Sequence, residues 1–248
     1  RAPTITRLDD TRLTGRAILR PFAGLQITGE YTYDNLRGLI TAYDKFVTAA
    51  DARTRQVETL GEGRYSKTNE MTDYRALNIF ANYDRTYKKH TFSLLTGYNQ
   101  EENSLARQIA ERTGVISADY PSLSQATGVP LATDNYSEFA ITGIFGRLNY
   151  DYAGKYLLGV TGRYDGSSKF PENHRNGFFP SISAGWSITK EDFMNGVSAW
   201  LNELKPRVSF GNVGNQTIQN PYSFLPTMDA SYASWLNDNK QVTTLSVP

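Results

Sequence analysis

The chain has 248 residues, no cysteine, a formal net charge of +1 and 21% charged residues. This charge balance provides no basic surface for nucleic acid, and the absence of cysteine excludes disulfide bonds, thiolate metal sites and cysteine nucleophiles. Aromatic residues make up 12% of the chain, which is typical of proteins whose rings line sheets or membrane interfaces. The sequence contains no run of 18 apolar residues, so it excludes a transmembrane helix.

The chain begins at Arg1, without a methionine or a recognisable signal sequence. We therefore interpret it as a processed or partial chain. Its length allows one large β domain or two smaller ones.

Eight segments alternate between apolar or small residues and polar residues with a period of two. Residues 25–34 show the pattern most clearly, and a helix with 3.6 residues per turn would mix the two sets on every face. In chain order, the predicted strands lie near residues 12–20, 25–34, 75–85, 91–100, 140–151, 156–165, 178–188 and 204–211. We also expect a helical turn in EDFM and AWLNE, within residues 189–203, and a ninth strand over Tyr222–Met228.

The connections between these strands alternate in length. The links after the first, third and fifth strands are short, whereas long polar loops are predicted at residues 35–72, 101–138 and 166–177. Outer-membrane barrels place short turns on the periplasmic side and long loops outside. Strands of about ten residues rise roughly 33 Å, which at a tilt of about 45° approaches the 25 Å apolar band of such a barrel.

Aromatic residues fall at both ends of the predicted strands. Those at the long-loop ends are Tyr31, Tyr33, Tyr98, Tyr164 and Phe178, and those at the short-turn ends are Tyr83, Tyr150, Tyr152, Tyr156 and Trp186. Two such rows are expected where rings lie at the level of lipid head groups. The pattern therefore favours a barrel in a membrane over a soluble sandwich.

Charged residues determine which strand face meets lipid. An arginine facing lipid in mid-membrane costs about 2 to 4 kcal/mol. We therefore predict that Arg147 and Arg163 face the lumen, together with Asp165, Ser181 and Ser183, and that Val160, Ile182 and Ala184 face outward.

The densest pattern is GRLNYDYAGKYLLGVTGRYDGSSKFPENHRNGFFPSISAGWSI, followed by EDFM, WLNELKPRVSFGNVGNQ and PYSF. These residues resemble the barrel of SusC/RagA-type TonB-dependent transporters, the outer-membrane nutrient importers of Bacteroidetes. The resemblance is dense from about Phe139 to Phe224 and looser from Leu13 to Asn103. It implies an all-β fold, with residues 1–248 forming part of one antiparallel up-and-down transmembrane β-barrel of about 22 strands.

The resemblance also implies partners and a location. Members of this family lie in the outer membrane, enclose a plug in the lumen, receive energy from TonB through a TonB box, and carry a SusD-like surface lipoprotein over the outer mouth. The present residues show neither plug nor TonB box. The cargo in this family is a glycan, a peptide or another large nutrient, which the sequence does not distinguish.

The sequence offers no catalytic, cofactor or metal site. His90 and His174 lie far apart in predicted turns or loops, and Ser167 and Ser168 have no histidine partner at a motif spacing. Long loops are where polar and aromatic side chains assemble ligand sites. The candidate loop contacts to ligand are Tyr43, Tyr65, Tyr120 and Tyr136.

Two other classes of protein remain as alternatives. A soluble β-sandwich that binds carbohydrate would use the aromatic residues as sugar platforms and would cover the apolar face with a second sheet. A glycan-cleaving enzyme requires an acid and base pair of carboxylates, and none is identifiable.

Overall fold

The computed structural model describes residues 4–50, 53, 56–196, 200–217, 222–226, 229–237 and 240–246. In chain order its strands are β1 (Thr4–Phe22), β2 (Leu25–Asp44), β3 (Val47–Ala50), β4 (Val57–Leu60), β5 (Arg64–Tyr87), β6 (His90–Thr113), β7 (Leu131–Tyr152), β8 (Tyr156–Ser167), β9 (Asn176–Trp186), β10 (Arg207–Gly211), β11 (Asp229–Asn237) and β12 (Lys240–Ser246). The remaining regular elements are 3₁₀ turns at Glu172–His174, Ile188–Lys190 and Asp192–Met194.

One eight-stranded sheet dominates the architecture, with the order β1-β2-β5-β6-β7-β8-β9-β10. Each strand pairs antiparallel with the next one, and β3–β4 and β11–β12 form separate two-stranded ribbons. The prediction of an all-β antiparallel up-and-down fold is confirmed. The sheet is open, with β1 and β10 at its edges.

The loops predicted at residues 35–72 and 101–138 were largely wrong. β5 and β6 each run for 24 residues and pair continuously from Arg64 opposite Thr113 to Tyr87 opposite His90. β2 and β7 extend beside them in the same way. The prediction failed because hydrophobic alternation marks a strand only where one face is apolar, and both faces of these extensions carry polar residues.

Three smaller predictions also differ from the structure. The eighth main strand begins at Arg207 rather than at 204. The predicted helical turn is present in EDFM as 3₁₀ geometry, but residues 200–203 of AWLNE are not helical, and Ala199 lies outside the described residues. Tyr222 begins a turn instead of a ninth strand and has a φ of 65°, while Met228 lies outside the described residues.

The register gives the sheet two chemically different faces. Val160 lies opposite Ile182, and Leu158 lies opposite Ala184, on the side that we call the apolar face. Leu158, Val160, Ile182 and Trp186 are 40%, 41%, 50% and 39% exposed, so no second layer within the described residues covers them. The opposite side, which we call the polar face, carries Thr161 opposite Ser181 and opposite Arg147.

Aromatic rings of the apolar face gather near the short turns, which define the turn end of the sheet. Tyr156 stacks between Tyr152 and Trp186, with ring centroids 6.3 and 6.4 Å away, and Phe92 lies 5.0 Å from Tyr150. His90 lies 4.9 Å from Tyr152 and shares a 2.8 Å hydrogen bond with the Tyr150 hydroxyl. These contacts form a continuous row across β6 to β9, as the aromatic positions in the sequence predicted.

Glu191 connects three elements at the turn end. Its carboxylate accepts hydrogen bonds from the Trp186 indole Nε1 at 3.0 Å and from Lys155 Nζ at 2.9 Å. Hydrogen bonds from Trp186, Lys155 and Tyr156 lower the pKa of Glu191 to about 2. The 3₁₀ turns after β9 are thereby attached to the β7–β8 turn.

The hydrogen bonds of Trp186 and Lys155 to Glu191 are expected to weaken in acid. Because the folded pKa of Glu191 lies below its unfolded value, its stabilising contribution is present above about pH 4.5 and is lost as the pH falls towards 2. We expect the ¹⁵N indole resonance of Trp186 to shift between pH 4.5 and pH 2, and Glu191→Gln to remove that titration. An indole resonance that titrates identically in Glu191→Gln would contradict the assignment.

Candidate functional site: the polar face of the sheet

The structure places the five predicted lumen residues on one face. Arg147 lies opposite Thr161, Ser181 lies opposite Thr161 on the other side, and Ser183 lies opposite Gly159. Arg163 and Asp165 follow Thr161 at alternate positions of β8 and therefore point to the same side. All five residues belong to the polar face, and its assignment to a lumen is taken up below.

Arg163 is held by contacts on three sides. Its Nη2 lies 2.8 Å from Asp165 Oδ1 and 3.3 Å from Asn99 Oδ1, and its Nε lies 3.2 Å from Asp165 Oδ2. The guanidinium also lies over the Phe145 ring, 5.1 Å from its centroid. A guanidinium fixed in this way presents a defined set of donors to the solvent side of the sheet.

Two glycines make room for this arrangement. A Cβ on Gly143 would lie 2.4 Å from both Asn99 Oδ1 and Asp165 Oδ1, and a Cβ on Gly97 would lie 2.6 Å from the Phe145 ring. Glycine at these positions lets the side chains of neighbouring strands lie flat on the sheet. The Arg163 cluster therefore depends on residues that carry no chemistry themselves.

A second polar region lies on β1, β2 and β5. Arg12 Nε donates to Asp34 Oδ2 at 2.8 Å, and Arg16 lies 2.6 Å from Glu30 Oε2. A cleft of about 630 Å³ follows these pairs. Its polar lining consists of Asp10, Arg12, Glu30, Thr32, Asp34, Thr72, Tyr74, Asn78 and Asn103.

The turn end of the polar face forms a second groove of similar volume. Its main polar and small lining residues are Thr91, Ser93, Asn149, Gly159, Ser183, Gly185, Lys205 and Arg207. A Cβ on Gly159 would lie 2.7 Å from the Ser183 hydroxyl, so the groove floor is close to the backbone. Leu157 also lines this groove and most of the groove surface is apolar, so it suits a second protein segment that packs against the sheet.

The structure does not bring the four candidate ligand tyrosines together. Tyr43 and Tyr65 belong to β2 and β5 and are buried, with their rings 6.3 Å apart in an edge-to-face contact beneath Val115 and Ala126. Their expected position in loops was wrong, because both strands extend past the last apolar positions. Tyr136 lies on β7, and Tyr120 alone of the four lies in an irregular segment.

Among the described residues, no group of three or more histidine, aspartate or glutamate side chains has an arrangement that could hold a metal ion. His174 lies in a 3₁₀ turn, and the Ser168 hydroxyl accepts the Ala140 N–H at 2.9 Å. In the same residues no helix is long and apolar enough to cross a membrane.

The whole sheet matches one known family of proteins. The model of the β-barrel of TonB-dependent receptor-like proteins matches residues 3–247. The chain belongs to this family. The resemblance found in the sequence is thereby confirmed, and the open sheet corresponds to a segment of such a barrel.

Several relatives of this family are similar in sequence. TonB-dependent receptor P3 of Formosa agariphila is 34% identical over 161 residues, which are 62% of this chain and 15% of that protein. TonB-dependent receptor P26 of the same organism is 49% identical over 92 residues, or 37% of this chain and 9% of that protein. TonB-dependent receptor SusC of Bacteroides thetaiotaomicron is 30% identical over 171 residues, or 68% of this chain and 17% of that protein. The chain therefore spans a small part of the curated relatives that it matches.

Solved structures show the same fold. The structure of the RagAB peptide transporter covers 100% of this chain with a TM-score of 0.82 and 21% sequence identity, and the matched part is 26% of that chain. The RagAB peptide importer in its 'open-open' state covers 99% of this chain, with a TM-score of 0.82 and 20% identity. The eight-stranded sheet is thus a barrel segment in its geometry as well as in its sequence.

Proposed function

We propose that this chain forms part of the wall of a TonB-dependent outer-membrane importer of large nutrients. Family membership over nearly the whole chain is the observation that carries this proposal. The two chemically different sheet faces support it, since a barrel wall needs one face for lipid and one for a wet lumen.

The orientation follows from the lengths of the connections. The turn end, with tight turns at Ala23–Gly24, Lys88–Lys89 and 153–155, is the periplasmic end, and the long extensions of β2 and β5 to β7 project outside. The apolar face contacts lipid, and its rings near Tyr156 and Tyr164 mark the two membrane interfaces.

The polar face then lines the lumen. Its charged groups are paired, within β8 for Arg163 with Asp165 and between β1 and β2 for Arg16 with Glu30, so the wall offers hydrogen bonds without a strong field of one sign. Such a surface suits polar, nearly neutral cargo and a plug that must move during each transport cycle. We assign the groove near Ser183 and Arg207 to contact with the plug, through which TonB acts.

The partners and the cargo are inferred from the relatives. A SusD-like surface lipoprotein is proposed to cover the outer mouth, and the cargo is proposed to be a glycan or a peptide. The relative SusC and the description of RagAB as a peptide transporter support a nutrient importer. Experiment has to distinguish between the two cargo classes. No catalytic role is proposed, because the relatives are described as receptors and transporters.

The proposal is tested by uptake in cells. An in-frame deletion of the gene that encodes the full-length protein should abolish growth on one class of polymer as sole nutrient, either peptides or a glycan. Re-expression of the full-length protein should restore that growth, and a version with its TonB-contacting segment deleted should not. Growth that depends on the protein but not on TonB would contradict an energised importer.

A further inference from the structure

Beyond Tyr98, the apolar face becomes polar towards the outer ends of β5, β6 and β7. On neighbouring strands Asp73, Ser104 and Glu138 are register partners, and Arg75 lies opposite Glu102 in the next row. These positions lie on the same side of the sheet as the lipid-facing residues. Arg75 lies opposite Tyr33 and its partner Glu102 lies four residues past Tyr98, whereas Asp73 and Ser104 lie two residues further out. Positions four to six residues past Tyr98 are on the order of 13 to 20 Å further along the strand, which reaches the head-group layer of a membrane.

A cleft of about 390 Å³ lies over these rows. Its side-chain lining includes Asp73, Arg75, Glu102, Tyr136, Glu138 and Tyr222. Tyr222 comes from the segment after β10 and closes one side, where its hydroxyl donates to the Glu138 carbonyl at 2.6 Å and lies 2.9 Å from the Ser168 hydroxyl. Residues far apart in the chain therefore build one concave surface.

The carboxylates of this cleft are held in place by neighbouring donors. Asp73 accepts hydrogen bonds from the Tyr33 hydroxyl at 3.0 Å and Asn35 Nδ2 at 2.7 Å. Glu102 accepts one from Gln100 Nε2 at 2.9 Å, and Glu138 accepts one from the Tyr136 hydroxyl at 2.8 Å. Each carboxylate has further lone pairs, so the cleft offers several fixed acceptors.

The chemistry of these groups selects a class of ligand. Three carboxylates and one guanidinium give the cleft a net negative charge, which disfavours phosphate and carboxylate ligands. Fixed acceptors suit hydroxyl and ammonium donors, and the Tyr136 ring, at 63% exposure, offers a flat surface beside them. Sugars combine hydroxyl donors with an apolar ring face.

We propose that this cleft binds a neutral or amino-bearing sugar unit from the core of the outer-leaflet glycolipid. The proposal rests on the outward facing of this side of the sheet, given under the proposed function. Because the cleft lies outside the barrel wall, cargo that passes through the lumen does not meet it. The surrounding membrane is the source of sugar at that height.

Binding is measured with the full-length protein, stripped of lipid in detergent. The soluble probe is the lipid-free core oligosaccharide released from rough lipopolysaccharide by mild acid. We compare wild type with Tyr136→Ala, Glu102→Gln and the control Tyr120→Ala, which removes a tyrosine of 79% exposure outside the cleft. Loss of one well-placed hydrogen bond or ring contact should weaken binding about tenfold in each cleft variant and not in the control. Heat-modifiable migration verifies that each variant is folded.

Two results would overturn the proposal. One is equal affinity of all four folded proteins for the oligosaccharide, and the other is binding that vanishes when the oligosaccharide is dephosphorylated.

Native mass spectrometry of protein extracted from cells identifies the source of the bound sugar. Lipopolysaccharide that stays bound to wild type and is lost from Tyr136→Ala supports the membrane as the source of the sugar. Oligosaccharide binding without retained lipopolysaccharide would mean that the ligand is a free glycan, and it would overturn the membrane source. If the growth test contradicts the importer, the affinities measured here are unchanged. Failure of the proposed function can therefore be distinguished from failure of the sugar site.

Discussion

Val160→Arg is expected to block assembly of the barrel, whereas Thr161→Arg is expected to allow it. Val160 belongs to the apolar face, where it lies opposite Ile182 and is 41% exposed. An arginine facing lipid near mid-membrane costs about 2 to 4 kcal/mol, which corresponds to a factor of about 30 to 1,000 in the folded population. Thr161 lies on the polar face, where a guanidinium remains hydrated.

The measurement is heat-modifiable migration of the full-length protein after refolding into detergent or extraction from outer membranes. Thr161→Arg places a second cation beside Arg147, whose Nε lies 3.4 Å from the Thr161 hydroxyl, so it is a stringent control. Screening by water and salt limits that repulsion to well below the lipid penalty. Equal folding of the two variants would refute the assigned facing.

Gly97→Val is expected to destabilise the sheet strongly, whereas Gly29→Val is expected to be tolerated. A Cβ on Gly97 would lie 2.6 Å from the Phe145 ring, 2.7 Å from Phe80 Cβ and 2.9 Å from the Ile79 carbonyl oxygen. Overpacking of this kind costs about 1 to 3 kcal/mol, and the contact with backbone leaves little room for relaxation. A Cβ on Gly29 would meet nothing within 4 Å, and valine favours strands.

The pair is compared by urea unfolding of the full-length protein in lipid vesicles, followed by tryptophan fluorescence. The midpoint should fall for Gly97→Val and stay the same or rise for Gly29→Val. Gly97→Val should also free Arg163, because Phe145, over which its guanidinium lies, is displaced. A midpoint for Gly97→Val at the wild-type value would show that Phe145 does not occupy the space above this glycine.

The sequence predicted those parts of the fold in which one strand face is apolar. In β8 and β9 the alternation of residues such as Val160 and Ile182 with Thr161 and Ser181 carried the strand assignment, and the charge of Arg163 determined which face was predicted to meet lipid. The outer halves of β5 and β6 were missed because polar side chains lie on both of their faces, and no period then distinguishes a strand from a loop. Backbone pairing, which hydropathy does not report, extends these strands.

The candidate site was predicted in outline only. The cost of burying charge in lipid was enough to place Arg147 and Arg163 on the polar face. That cost could not predict the contact of Asn99 on β6 with Arg163, or the glycines beneath the cluster. Those contacts depend on the register between strands. The prediction that Tyr43 and Tyr65 lie in loops was wrong, because the polar segments were interpreted as loops although β2 and β5 continue through them.

Site-directed spin labelling along β8 tests the central claim most directly. Single cysteines replace residues 156–165 in turn, in the full-length protein freed of any other cysteine and reconstituted into lipid bilayers. Collision rates with oxygen, which partitions into lipid, and with a water-soluble nickel chelate are then measured for each label. We predict that the ratio of the two rates alternates with a period of two, with oxygen favoured at 158, 160 and 162 and nickel favoured at 159, 161 and 163. Labels at 158, 160 and 162 that are inaccessible to both reagents would mean that protein covers this face, and that result would contradict a barrel wall in lipid.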